Sequence, residues 1–345
     1  MVNNRKIKVL VVDDSLLFRE TIAQGIAQDF GIEVVGTASD PFIARDKILE
    51  LKPDVISLDV EMPKMNGIEF LKKLMPQYPL PVVVVSSISS NVFDALNAGA
   101  VDFVTKPDIN KPGGLSFFIK ELIVKIKIAS TARMGSYKKE HVPVKPISHT
   151  KALKDEIIAI GASTGGTEAI YEVIKLFPPD MPGIVIVQHM PPVFTRMYAE
   201  RLNNSCMLEV KEAQDGDLVK TGRVLVAPGD FQMKVVKERG NYYVKCYKGE
   251  KVNGHCPSVD VLFDSIATAA GSQAVGVILT GMGCDGAKGL LEMKRHGAYT
   301  IGQDEKSCVV YGMPRVAFNI GAVQNQAPLD RIPQIICKYI EKRET

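Results

Sequence analysis

The sequence predicts an α/β protein of two doubly wound parallel-sheet domains, and three observations carry that prediction. Short β-branched apolar runs alternate with amphipathic helical stretches in both halves of the chain. Charged or hydroxylated residues follow those runs directly, and a polar, basic, proline-containing segment separates the halves. The chain has 345 residues, 46% of them apolar and 23% charged, which is enough for two ordinary cores.

In the first half the strand expectations are residues 7–12, 34–37, 55–58, 82–85 and 101–104, with helical patterns between them and a final helix over about 115–131. Residues 134–149 follow, with two prolines, many polar side chains and no apolar period, and read as a linker. The domain division expected is therefore 1–125, a linker over 126–154, and 155–345. In the second half residues 157–160, 183–187, 274–279 and 299–301 read as buried strands. Residues 223–227, 232–236 and 242–246 read as short strands of a small antiparallel edge, with turns at Pro228-Gly229 and Gly240-Asn241.

Several classes are disfavoured. No apolar run reaches the roughly 20 residues a membrane span needs, and residues 1–8 lack a signal-peptide pattern, so a cytoplasmic protein without membrane insertion is expected. Six cysteines without a C-x-x-C pair argue against a zinc knuckle or a disulfide framework; free thiols are expected. Residues 1–125 carry 14 basic and 16 acidic side chains, residues 126–155 carry 7 and 2, and residues 156–345 carry 21 and 21. The surplus positive charge sits in the linker, and no domain-wide basic footprint for nucleic acid is present.

Asp13 and Asp14 follow the first strand, Asp59 the third, Ser86 ends the fourth and Lys106 follows the fifth, so all lie on one sheet edge. Taken alone, the Asp13-Asp14 pair also reads as a helix cap. Carboxylates converging at several strand ends call instead for a hard cation such as Mg²⁺, and an aspartate nucleophile beside a lysine suits phosphoryl transfer. Through Val11-Val-Asp-Asp14, Leu58-Asp-Val-Glu-Met-Pro63, Val85-Ser-Ser87 and Lys106-Pro107 the segment resembles the CheY-like receiver family, a flavodoxin-like fold. The resemblance implies that Asp13, Asp14 and Asp59 hold Mg²⁺, that Asp59 is phosphorylated, and that Ser86 and Lys106 contact the phosphoryl oxygens. It makes Phe103 the switch aromatic, a phenylalanine where many relatives have tyrosine.

The second half opens on an apolar strand that ends in Gly161-Ala-Ser-Thr-Gly165, a G-x-S-x-G pattern running into a helix. Such a turn exposes a serine Oγ beside backbone N–H groups, making Ser163 a nucleophile candidate. A glycine-rich phosphate loop and a plain serine cap are the rival readings. His189, just past the strand expected beside that of Ser163, is the natural base, with His255 and His296 as competitors. Asp285, in a glycine-rich loop after a third strand, is the expected orienting acid, with Asp260, Asp264 and Asp304 as alternatives.

Residues 155–345 resemble the CheB catalytic domain through Ile160-Gly-Ala-Ser-Thr-Gly-Gly166, Gln188-His-Met-Pro191, Ala227-Pro-Gly229, Pro257-Ser-Val-Asp260, Leu279-Thr-Gly-Met-Gly283 and Asp285-Gly286. The resemblance implies a Rossmann-like hydrolytic domain and a protein-glutamate methylesterase, often also a glutamine deamidase. Its substrates would be methyl-accepting chemotaxis receptors and its phosphodonor the histidine kinase CheA. The resemblance implies that the esterase step needs no cofactor. Thr164 and Met282 are the expected backbone oxyanion donors, and Cys284 stands where relatives commonly carry asparagine. A DNA-binding response regulator and a non-catalytic receptor adaptor are the competing classes.

Overall fold

The computed structural model describes residues 5–87, 91–107, 113–134 and 155–343, in two compact units divided at Gly135/Ser136. Most of the linker expectation lies outside the described residues.

The first unit runs β1 (Ile7–Val12), α1 (Leu16–Ile26), β2 (Ile32–Ala38), α2 (Pro41–Leu51), β3 (Val55–Asp59), α3 (Gly67–Gln77), β4 (Val82–Ser86), α4 (Asn91–Asn97), β5 (Asp102–Thr105) and α5 (Gly114–Ala129). The strands form one parallel sheet in the order β2-β1-β3-β4-β5. β3 (Val-Ile-Ser-Leu-Asp) and β4 (Val-Val-Val-Val-Ser) are buried along their whole length, as central strands of a parallel sheet are. Local capping sets the helix starts. Asp40 accepts from the N–H groups of Phe42 and Ile43 with Pro41 in the first turn, and Asn66 accepts from Glu69 N–H at 2.8 Å.

The second unit runs β6 (Ile157–Ala162), α6 (Gly166–Ile174), β7 (Gly183–Gln188), α7 (Phe194–Ser205), β8 (Glu209–Glu212), β9 (Leu218–Val219), β10 (Arg223–Val226), β11 (Gln232–Glu238), β12 (Asn241–Tyr247), α8 (Val259–Ala270), β13 (Ala274–Ile278), α9 (Ala287–Arg295), β14 (Tyr299–Gln303), α10 (Met313–Asn319), β15 (Asn325–Ala327) and α11 (Ile332–Glu341). A seven-stranded sheet has the order β15-β14-β13-β6-β7-β10-β8, with every pairing parallel. From β6 the chain builds outward through β7 and later crosses back to β13 on the other side. The carboxyl end of β6 is thus the topological switch point, where doubly wound sheets bind ligands.

A separate antiparallel sheet, β11-β12-β9, packs on α8, whose Val259, Leu262, Phe263 and Ile266 share one apolar core with Met233, Val235 and Val244. Residues 223–227 are corrected here: this run was expected in the antiparallel edge, yet β10 lies in the main sheet, parallel to β7 and β8. A short apolar strand carries no mark of its partner's direction. The hairpin turn also shifts by one residue, because Arg239 and Gly240 take the left-handed conformation between the paired Glu238 and Asn241. All six cysteines are free thiols. Among the described residues no helix is long and apolar enough to cross a membrane.

Candidate functional site

In the first unit the pairing Val12↔Leu58 sets Asp13 beside Asp59, and Ser86 pairs with Thr105, next to Lys106. The predicted residues converge. Lys106 Nζ is 2.7 Å from Asp59 Oδ2 and 3.6 Å from Asp13 Oδ2. Asp13, Asp14 and Asp59 each offer a carboxylate oxygen within 4.8 Å of the others, with Asp14 exposed and the other two buried. Burial pushes the Asp59 carboxyl up to about 6 against the pull of the Lys106 hydrogen bond and charge, and burial raises Asp13 too. Asp13 Oδ1 accepts from Ser15 N–H at 2.9 Å, whereas Asp13 Oδ2 is buried with no hydrogen-bond partner. An all-oxygen cluster in which one buried oxygen accepts no hydrogen bond and meets only the Lys106 charge suits a hard divalent cation. Ser86 and Phe103 are both buried. Sequence reasoning passed over Glu61, whose side chain accepts from Ser87 Oγ at 2.6 Å, and Phe18, whose ring lies 5.3 Å from Lys106 Nζ.

In the second unit Ser163 and His189 each stand one residue beyond the paired Ala162 and Gln188, at the switch point. Small residues make this edge possible. A Cβ on Gly161 would lie 2.2 Å from Val259 Cγ1, so α8 can approach β6 only over glycine, and Gly165 takes φ +76° to turn the strand into α6. Ser163 N–H donates to Thr280 O at 3.0 Å, which ties the serine to the loop after β13, and Gln188 Nε2 donates to Ser163 O at 2.9 Å.

His189 Nε2 is 2.8 Å from Asp285 Oδ2, while the ring's other nitrogen, Nδ1, is buried with no hydrogen-bond partner. Asp285 thus holds one edge of the imidazole, and Nδ1 on the other edge is the nitrogen left available. Asp285 is buried to 1% exposure, and Oδ1 accepts from Asn253 Nδ2 at 2.8 Å and Ser258 Oγ at 2.7 Å. The N–H groups of Val259 and Asp260, at the start of α8, donate to it at 2.7 and 3.3 Å. Burial alone would raise this carboxyl; the hydrogen bonds from His189, Asn253 and Ser258 and the charge of His189 hold it well below the usual carboxylate range.

The competing residues separate. His296 is hydrogen-bonded to Glu292 O at the end of α9 and is not among the partners of Asp285 or His189. Asp260 and Asp264 lie on α8, as the amphipathic pattern indicated, and Asp304 binds Ser307 instead. His255 does reach the site, as a ring stacked on His189 with centroids 3.6 Å apart and planes at 7°. Sequence reasoning missed Asn253, which has no apolar period or motif around it to flag it. Cys284 is exposed and not among the partners of Asp285. Thr164 is buried beside Ser163, with its carbonyl accepting from Thr280 Oγ1 at 3.0 Å, and Met282 is half exposed in the loop tied to the serine.

Two family models match the chain: CheB methylesterase over residues 158–336 and response regulator receiver domain over 9–111. A protein-glutamate methylesterase/protein-glutamine glutaminase of Syntrophomonas wolfei is 63% identical over 338 residues, covering 98% of this chain and 99% of the relative. Another from Salmonella typhi is 48% identical over 333 residues, covering 95% of each. The crystal structure of the Thermotoga maritima CheB methylesterase catalytic domain is similar at a TM-score of 0.53 and 39% identity, covering 54% of this chain and 100% of that one.

Proposed function

The chain belongs to the CheB methylesterase family, with a response-regulator receiver domain ahead of the catalytic one, and from that premise we propose the roles of its residues. It is a protein-glutamate methylesterase/protein-glutamine glutaminase of chemotaxis, regulated by phosphorylation, and it acts on chemotaxis receptors.

Our reading of the esterase step assigns Ser163 as nucleophile, His189 as base and Asp285 as the group that orients the imidazole. The observation that carries it is the Asp285–His189 bond through Nε2, which leaves Nδ1 to work on the serine. Ser163 Oγ attacks the γ-carbonyl carbon of the glutamyl methyl ester as His189 Nδ1 takes the hydroxyl proton. The tetrahedral intermediate places its oxyanion on backbone N–H groups, for which Thr164 and Met282 are proposed. His189 returns the proton to the methoxide, methanol leaves, and a water activated at the same nitrogen cleaves the acyl-enzyme to glutamate. With glutamine the leaving group is ammonia.

In the receiver we assign Asp59 as phospho-acceptor, Asp13, Asp14 and Asp59 as the residues that would hold Mg²⁺, Ser86 and Lys106 as phosphoryl contacts, and Phe103 as the switch aromatic. Mg²⁺ would neutralise charge on the transferred group. CheA as phosphodonor, a cytoplasmic location and the division 1–125, 126–154 and 155–345 belong to the same proposal. The test is methanol release from methylated receptor membranes with Mg²⁺ alone and with Mg²⁺ plus a small phosphodonor. Ser163→Ala should abolish release with an unchanged unfolding midpoint, and near-full release from that variant would overturn the nucleophile assignment.

A further inference from the structure

The base of a serine hydrolase has to present one nitrogen in a fixed direction, and a single hydrogen bond to a carboxylate leaves an imidazole free to rock about that bond. Here the opposite nitrogen, His189 Nδ1, has no protein partner to stop the rocking. What touches the ring face is His255, whose ring lies parallel to it at 3.6 Å and 7°, in van der Waals contact across the π-surfaces.

His255 is held by a closed turn. Val252 and His255 exchange both backbone hydrogen bonds, at 3.0 and 2.9 Å, closing a two-residue turn over Asn253 and Gly254, both with positive φ. At Asn253, φ 52° is a left-handed backbone for a residue with a Cβ. Its amide bridges two buried carboxylates, reaching Asp285 Oδ1 at 2.8 Å and Asp260 Oδ2 at 2.7 Å. Asp260 in turn accepts from Gly289 N–H at 2.7 Å, which ties the bridge to α9. One four-residue hairpin therefore grips the acid of the triad with one side chain and the face of its base with another.

We infer that the hairpin 252–255 is a positioning element for the esterase, with His255 fixing the plane of His189 and Asn253 fixing Asp285. The inference rests on the triad assignment above. His255 is a positioning residue: it acts on the substrate only through the aim of His189 Nδ1. Misaiming a reacting group by about 1 Å can cost on the order of 100-fold in rate.

The test uses the full-length protein on methylated receptor membranes. His255→Ala should lower kcat about 10- to 100-fold with KM changed less than about twofold, because aim is lost and substrate contacts are not. His255→Phe restores a flat face without an ionisable nitrogen and should recover most of kcat. An independent readout is the proton on His189 Nε2, which bonds to a buried carboxylate and should give a slowly exchanging downfield imidazole NMR signal. That signal should broaden in the alanine variant and return in the phenylalanine one. A kcat for His255→Ala within twofold of wild type, or equal losses in both variants with the signal unchanged, would overturn the inference. His189→Ala is measured alongside: an active His189→Ala variant overturns the triad assignment itself, whereas an inactive one with a normal His255→Ala variant overturns the positioning role alone.

Discussion

A carboxylate buried as deeply as Asp285 stays ionised because donors surround it, and that fixes what its replacement should do. Asp285→Asn keeps the volume but cannot demand a proton on His189 Nε2, so the tautomer with the proton on Nδ1 becomes available and the base is blocked. A kcat loss of roughly 10³- to 10⁴-fold is expected, read as methanol release at saturating substrate. The pH dependence has a definite sign. Since the folded-state carboxyl lies below the usual range, its contribution to stability is present above the unfolded value of about 4 and is lost as pH falls through the folded one. The urea-midpoint gap between wild type and Asp285→Asn should therefore be wide at pH 7 and narrow as pH drops toward 3. The sign reverses at Asp59, pushed up to about 6 by burial. Its neutral form is favoured in the fold, so protons compete with a cation for the site. Mg²⁺ affinity, followed by titration, should fall about tenfold from pH 7.5 to pH 5; equal affinity at both would rule out a ligand carboxylate that titrates near 6.

At the scale of elements, the helix that holds Asp285 is seated by a glycine in the strand that carries the serine. The approach of Val259 to Gly161 sets the distance between β6 and the N-terminus of α8, and that N-terminus donates to Asp285. Gly161→Ala should push α8 outward, cost about 1–3 kcal/mol in an unfolding titration and lower kcat as well. Stability lost with kcat intact would mean that the acid is held mainly by its loop. The same contrast marks what the sequence discloses. β1, β3, β4, β6, β7 and β13 are legible because a strand covered on both faces is a continuous apolar run, and the chemistry sits where those runs stop. β8, with the sequence Glu-Val-Lys-Glu, and β15, with Asn-Gln-Ala, escape notice because edge strands need no apolar run. β10 was visible but its direction was not. Ser163, His189 and Lys106 follow strands and Asp59 ends one, which makes them legible; Asn253 and the stacking role of His255 depend on a loop whose path is set by tertiary contacts alone.

For the whole molecule, the two chemistries lie in units with separate sheets, so coupling between them is read in the kinetics of the esterase. A receiver can regulate an attached esterase in two ways. It can restrain the enzyme until Asp59 is phosphorylated, or it can contribute something to catalysis only after phosphorylation. The two differ in what the catalytic segment does alone. Residues 155–345 contain the complete seven-stranded sheet, the Ser163 turn, His189 and the full set of donors to Asp285, so the excised segment should fold and hydrolyse receptor methyl esters without Mg²⁺ or phosphodonor. Under restraint, which we expect, its methanol release exceeds that of the unphosphorylated full chain and does not respond to phosphodonor, while Asp59→Asn locks the full chain at its low rate. An excised segment no faster than the unphosphorylated full chain would instead mean that the receiver assists the esterase rather than restrains it, and phosphodonor would then raise kcat or lower KM in the full chain only.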